Sequence, residues 1–210
     1  MARKKEPERL EINKTKIMNS AKKLFSKRGI EQTSMEDIAK ESNICKATLY
    51  SYYSNRDAIR NDIVLDAMIY LYNTFSETIN TSLPIKDNFM SVCNSLFIFK
   101  QKYPLSFQYI VENICIDEKI LNENETLQKI YETGEKINLL LISAFGAAFP
   151  KKSKDEVVET FLEFWGSIYG IISIAENKKD YIKKATGKSQ GEFLLNGFEN
   201  LFQSLKYRMN

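Results

Sequence analysis

The stretch Ser34-Met-Glu-Asp-Ile-Ala-Lys-Glu-Ser-Asn-Ile-Cys-Lys-Ala-Thr-Leu-Tyr-Ser-Tyr-Tyr53 reads as two short helices on either side of a sharp turn. Thr33 and Ser34 are good N-caps, and Glu36 and Asp37 stand three residues further on, the spacing of a capping box. Ser42, Asn43 and Ile44 interrupt the first helix, and Asn tolerates the left-handed backbone of a tight turn. The second helix spans roughly Lys46 to Tyr52. Ala39 admits a close crossing of the two, while Ile38, Ile44 and Leu49 fill the wedge between them. The outer face of the second helix then carries Lys46, Ala47, Thr48, Tyr50 and Tyr52. These are a cation, a methyl and hydroxyls of the kinds that meet base edges and phosphates in a major groove. An ordinary helical hairpin shares the apolar wedge, so the spacing alone leaves both readings open.

Outward from this motif, the chain is helical nearly everywhere. Upstream, a helix from about Glu11 to Arg28 places Ile17, Ala21, Leu24 and Phe25 on one stripe, with Lys27 and Arg28 at its carbonyl end and Gly29 as its stop. Downstream, Ser54 and Asp57 have capping-box spacing before a long helix carrying Ile59, Ile63, Ala67, Tyr70 and Leu71 toward residue 80. Pro84, Pro104 and Pro150 divide the rest into helices near 86–102, 104–116, 123–149, 153–177 and 189–207. The expectation is an all-α fold of nine helices. Residues 1–60 form a helix-turn-helix domain and residues 61–210 a helical domain for effector binding and dimerisation.

Composition narrows the function. The 210 residues are 43% hydrophobic, enough for a packed core, yet no uninterrupted apolar run approaches the ~20 residues of a membrane span. The basic start, Arg3, Lys4, Lys5 and Arg9, has no apolar run after it, so a cytoplasmic protein away from the membrane is expected. Cysteines at 45, 93 and 115 lack the paired spacing of a zinc or redox site. The absence of histidine removes the commonest general base and the commonest transition-metal ligand. No Gly-rich phosphate loop is visible either, so neither an enzyme nor a metal or other cofactor is expected. Residues 1–60 carry 14 Lys+Arg against 8 Asp+Glu, and residues 61–210 carry 16 against 19. A basic head on a slightly acidic body fits one end facing a polyanion. A solvated basic surface has the same signature.

A wider set of anchors gives the motif a resemblance. The segments Ile17-Met-Asn-Ser-Ala21-Lys-Lys-Leu24-Phe25, Gly29, Thr33-Ser34, Asp37-Ile38-Ala39, Lys46-Ala47-Thr48-Leu49-Tyr50, Tyr52-Tyr53 and Asn55-Arg56-Asp57 resemble, in order and spacing, the DNA-binding region of the tetracycline-repressor (TetR/AcrR) family. The resemblance implies a homodimeric transcription regulator that binds double-stranded operator DNA. It implies base contacts from Lys46, Ala47, Thr48 and Tyr50, and phosphate contacts from Thr33 or Ser34, Tyr52 and Arg56. Three positions depart from the family pattern: Asn43 and Ala47 stand where Gly is usual, and Cys45 where Ser is usual. Cys is a poor N-cap, which leaves the start of the recognition helix open.

In the body, Gly166 and Gly170 lie four apart beside Trp165 and Tyr169. The last helix offers Phe198 and Phe202 among its apolar residues, a set suited to a dimer seam or to an intramolecular core. The aromatics Phe89, Phe97, Phe107, Tyr131, Phe145 and Phe161 are core candidates that together could line a cavity for an unidentified small-molecule effector. Glu112 and Glu163 are carboxylates in apolar sequence, open either to a cationic ligand or to solvent and lysine pairing. The function expected is a repressor released from a palindromic operator by a small apolar or cationic effector. A regulator controlled by protein partners is the alternative, separable by whether the body holds a cavity.

Overall fold

The computed structural model describes residues 6–80, 82–112 and 124–209, and the side chains of 8–80, 82–110 and 124–208. Ten helices lie among the described residues: α1 Glu6–Arg28, α2 Met35–Ser42, α3 Lys46–Tyr52, α4 Arg56–Thr78, α5 Ile85–Lys102, α6 Pro104–Glu112, α7 Glu125–Gly146, α8 Lys154–Asn177, α9 Lys179–Thr186 and α10 Gln190–Met209. The fold is all-α, as the periodicity indicates, with one helix more than the nine expected. The addition is α9, which buries Ile182 and otherwise consists largely of charged residues, so it has almost no apolar stripe to read. Gly187 stops it in the left-handed conformation at φ +72°.

Caps set most of the observed boundaries. Ser34 accepts the Asp37 N–H and Asp37 accepts the Ser34 N–H, closing a reciprocal box at the start of α2, and Ser153 with Glu156 does the same for α8. The box expected at Ser54 and Asp57 is replaced by Asn55, whose Oδ1 accepts the Ala58 N–H at 2.9 Å. Asn55 sits one residue nearer the helix, and α4 starts at Arg56 accordingly.

The chain packs as two compact units, one of residues 1–69 and 103–133, the other of residues 70–102 and 134–210. These packing units cut across the division at residue 60, because α6 and the first part of α7 pack with the N-terminal helices. In the first unit, Ile17, Ala21, Phe25, Ile38, Leu49, Ile59 and Ile63 form one buried cluster, with Leu105 of α6 packed against it. In the second, α8 buries Val157, Phe161, Phe164, Ile168 and Ile172 and packs against α10 and α5. Helix α8 is also the one described helix long and apolar enough to cross a membrane. Its apolar side is the core of the second unit, while Glu159 and Glu163 lie on its exposed side.

Candidate nucleic-acid interface

The turn between α2 and α3 rests on Asn43, which stands at φ +53° and ψ +41° and is the only non-glycine with positive φ among the described residues. Its side chain makes the left-handed geometry tolerable where Gly would otherwise be needed. The Ile44 N–H then reaches back to the Ala39 carbonyl at 3.0 Å, and Ser42 Oγ donates to the Ile38 carbonyl at 2.7 Å. Leu49 is fully buried in the wedge and fixes the rotation of α3 about its axis. That rotation turns Lys46, Ala47 and Tyr50 to the open side with Thr48 half-buried beside them. Tyr50 is 48% exposed, a large aromatic left outside the core.

The recognition helix begins at Lys46, with Cys45 in the N-cap position and no side-chain cap bond. The Cys45 thiol lies 2.9 Å from Thr48 Oγ1, and this hydrogen bond is the first cause lowering the thiol pKa below its ordinary value. At its other end, α3 is held by Tyr53, whose buried phenol donates to Asp62 Oδ2 at 3.0 Å. Asp62 also takes Lys14 Nζ at 2.8 Å and accepts from Thr126 Oγ1 at 3.3 Å, so α1, α4 and α7 converge on one carboxylate behind the recognition helix.

The other expected DNA contacts are more tied down. Thr33 is fully buried and donates its hydroxyl to the Gly29 carbonyl at 2.8 Å, so Ser34 is the exposed member of that pair. Tyr52 is half-buried, and its hydroxyl accepts from Asn13 Nδ2 at 3.2 Å. Arg56 donates to the Glu31 carbonyl at 2.8 Å and pairs with the Glu31 carboxylate, clamping the loop before α2 onto α4. Lys46 pairs with Glu36 at 3.2 Å, both side chains well exposed, a contact that water and salt weaken readily. The partners Glu31, Glu36 and Asn13 were not legible in sequence, because none lies at helical spacing from the residue it meets.

The second unit holds a cavity of about 120 Å³ bounded by Phe89 and Val92 of α5, Leu141 and Phe145 of α7, and Phe161 and Trp165 of α8. Of the aromatics expected to line it, Phe89, Phe145 and Phe161 are there. Phe107 is buried in the first unit, Tyr131 is exposed in it, and Phe97 is half-buried away from the cavity wall. Glu163 is exposed and pairs with Arg208, and the side chain of Glu112 lies outside the described residues. Trp165, read as a dimer residue, stacks on Phe161 with ring centroids 5.7 Å apart and forms cavity wall. Tyr169, Phe198 and Phe202 are also turned inward, Phe202 lying 5.6 Å from Phe89, because rings of this size fill the interior between helices. Gly166 and Gly170 alone of the expected seam lie on the exposed side of α8, in line with exposed Leu162 and Ile174. Among the described residues no group of three or more Cys, Asp or Glu could hold a metal ion.

A short helix displayed by a buried wedge behind a left-handed turn has the geometry of a helix-turn-helix. Residues 17–63 match the family described as bacterial regulatory proteins, tetR family. The biofilm operon icaADBC HTH-type negative transcriptional regulator IcaR of Staphylococcus epidermidis is 27% identical over 180 residues, 80% of this chain and 94% of that protein. YhgD of Bacillus subtilis, an uncharacterized HTH-type transcriptional regulator, is 24% identical over 107 residues, 51% of this chain and only 56% of the relative's own length. A crystal structure of the transcriptional regulator FadR from Bacillus subtilis in complex with stearoyl-CoA has the same fold, with a TM-score of 0.61 and 14% identity over 89% of this chain and 96% of that one. Residues 17–63 thus match the tetR-family DNA-binding region, and the chain as a whole is similar to HTH-type transcriptional regulators and shares the fold of a TetR-family regulator of Streptomyces coelicolor.

Proposed function

We propose that the protein is a cytoplasmic repressor that binds a roughly palindromic operator as a homodimer and leaves it when a small apolar effector enters the body. The observation that carries the reading is the exposed face of α3. Lys46, Ala47, Thr48 and Tyr50 share it, and the buried Leu49 behind them keeps it facing outward. Residues 1–60, with their excess of Lys and Arg, supply the DNA-reading head, and residues 61–210 supply effector binding and pairing. One short helix reads only a few bases, so two copies related by a two-fold are needed for a specific site.

The cavity supports an effector over control by protein partners alone. Its wall also favours the apolar version of the effector over the cationic one, because Glu163 is outside it and neutralised by Arg208. A tenfold release needs the effector to favour the non-binding conformation by ~1.4 kcal/mol. The test is selection of duplexes from a random pool with the purified protein, followed by titration of the selected site at several salt concentrations. A two-fold symmetric site and a steep loss of affinity with salt are expected. Equal binding of selected and random duplexes overturns the reading.

A further inference from the structure

The lining of the cavity in the second unit carries information about its occupant beyond that it is apolar. Fifteen of the sixteen bounding residues are Ile, Leu, Val, Ala, Phe or Trp, and the exception is Asn88. The Asn88 amide is already committed. Its Oδ1 accepts the Asn80 N–H at 2.9 Å and its Nδ2 donates to the Asn80 carbonyl at 2.7 Å, closing the connection between α4 and α5. The one other side-chain polar atom of the wall belongs to the Trp165 indole N–H, a donor only, so the wall's sole attraction for a cation is the faces of its aromatic rings. No charged residue bounds the space, so an anion placed there loses its water with no opposite charge in return, and for a cation the ring faces offset only part of the larger desolvation cost.

Size narrows the class further. At about 120 Å³ the cavity is of the same order as an apolar cavity of ~150 Å³ known to stay dry and to hold benzene, and because it is partly open a small substituent on the ring can extend beyond it. Its wall is also aromatic at short range. Phe145 has Phe161 at 5.9 Å and Phe164 at 6.1 Å, and Trp165 stacks on Phe161. Such a wall presents both ring faces and ring edges, which suits an aromatic guest.

We infer that this cavity takes a neutral, single-ring aromatic molecule, with at most one weak acceptor oxygen and no charged head group. The inference rests on the reading of the cavity as the effector site, but the occupant's class can be tested without DNA. Trp165 is the only tryptophan of the chain and forms part of the wall, so its emission reports occupancy directly.

The experiment titrates the full-length protein with toluene, anisole, benzyltrimethylammonium, octanoate and stearoyl-CoA, following Trp165 emission and calorimetric heat, and separately measures release of the selected operator. Toluene and anisole are expected to give saturable signals, with the charged probes silent at equal concentration. Ala144→Leu and Val92→Phe, each checked for native helix content, fill the space from α7 and from α5 and are expected to weaken toluene binding by about tenfold or more. Binding by charged probes in place of the neutral rings, binding by none, or neutral binding indifferent to both variants overturns the inference. Toluene occupancy without operator release overturns the effector reading and leaves the occupant's class intact. Release by stearoyl-CoA without toluene occupancy does the reverse.

Discussion

Tyr53 ends the recognition helix with its phenol 3.0 Å from Asp62 Oδ2, joining the residue after α3 to the middle of the first unit's polar network. Burial, ahead of the nearby Asp62 charge, raises the phenol pKa above its ordinary 10.0. An unfolded phenol ionises near pH 10 while the folded one resists, so this contribution to stability is complete below pH 10 and lost as pH rises further. Tyr53→Phe removes both the bond and the titration. It is expected to cost ~1 kcal/mol near neutral pH. Above pH 10 the variant should lose stability less steeply than the wild type, by up to ~1 kcal/mol per pH unit once solvent screening is allowed for. Urea unfolding of both proteins across this range checks it, and parallel alkaline limbs would refute the role of the phenol.

Ser34→Ala removes the cap of α2. The Ser34 hydroxyl, followed by its backbone N–H and Arg28, holds the Asp37 carboxyl at about 2. Because that pKa is depressed, the stability it contributes is present above about pH 4 and is lost as pH falls through about 2. The variant is expected to lose ~1 kcal/mol at neutral pH. Its stability should also fall less steeply with acid between those two values. Acid titration followed by circular dichroism provides the comparison.

Glu36 is the nearest competitor for Lys46 on the DNA-reading face. Their exposed pair at 3.2 Å must open when Lys46 meets DNA. Glu36→Gln is therefore expected to tighten operator binding about two- to fivefold, the scale of an exposed ion pair. Lys46→Ala is expected to weaken it by ~1 to 3 kcal/mol with relaxed discrimination at one base pair. Operator titrations at fixed salt decide both, and an unchanged affinity in Lys46→Ala removes this residue from the readout.

Gly166 and Gly170 have nothing within 4 Å of where a Cβ would stand. A side chain beginning there meets no neighbour in its own protomer, and Leu is the better helix former. Gly166→Leu and Gly170→Leu are thus expected to keep helix content and thermal stability while splitting the dimer and reducing operator affinity. Sedimentation at micromolar concentration tests this. A variant that remains dimeric places the seam elsewhere.

The sequence by itself determined the local structure. The period of Ile17, Ala21, Leu24 and Phe25 makes α1, Ser34 with Asp37 caps α2, and Asn43 turns the chain left-handed, all through groups a few residues apart. Local contacts of this kind follow from covalent spacing, which is why the head and its exposed α3 face were legible. The same local rules misplaced the cap of α4, and they missed α9, whose charged residues leave too little apolar period to read. Only the tertiary structure decided which side of a long helix faces inward. Trp165 and Gly166 are neighbours in sequence, yet one forms cavity wall and the other lies exposed, because successive residues on a helix point about 100° apart and the packing of α5 and α10 selects the buried side. Arg56 shows the same limit, since its partner Glu31 is 25 residues away and no periodicity links them. Amphipathic pattern fixes that a helix has an inside; the distant chain that packs there fixes what the inside becomes.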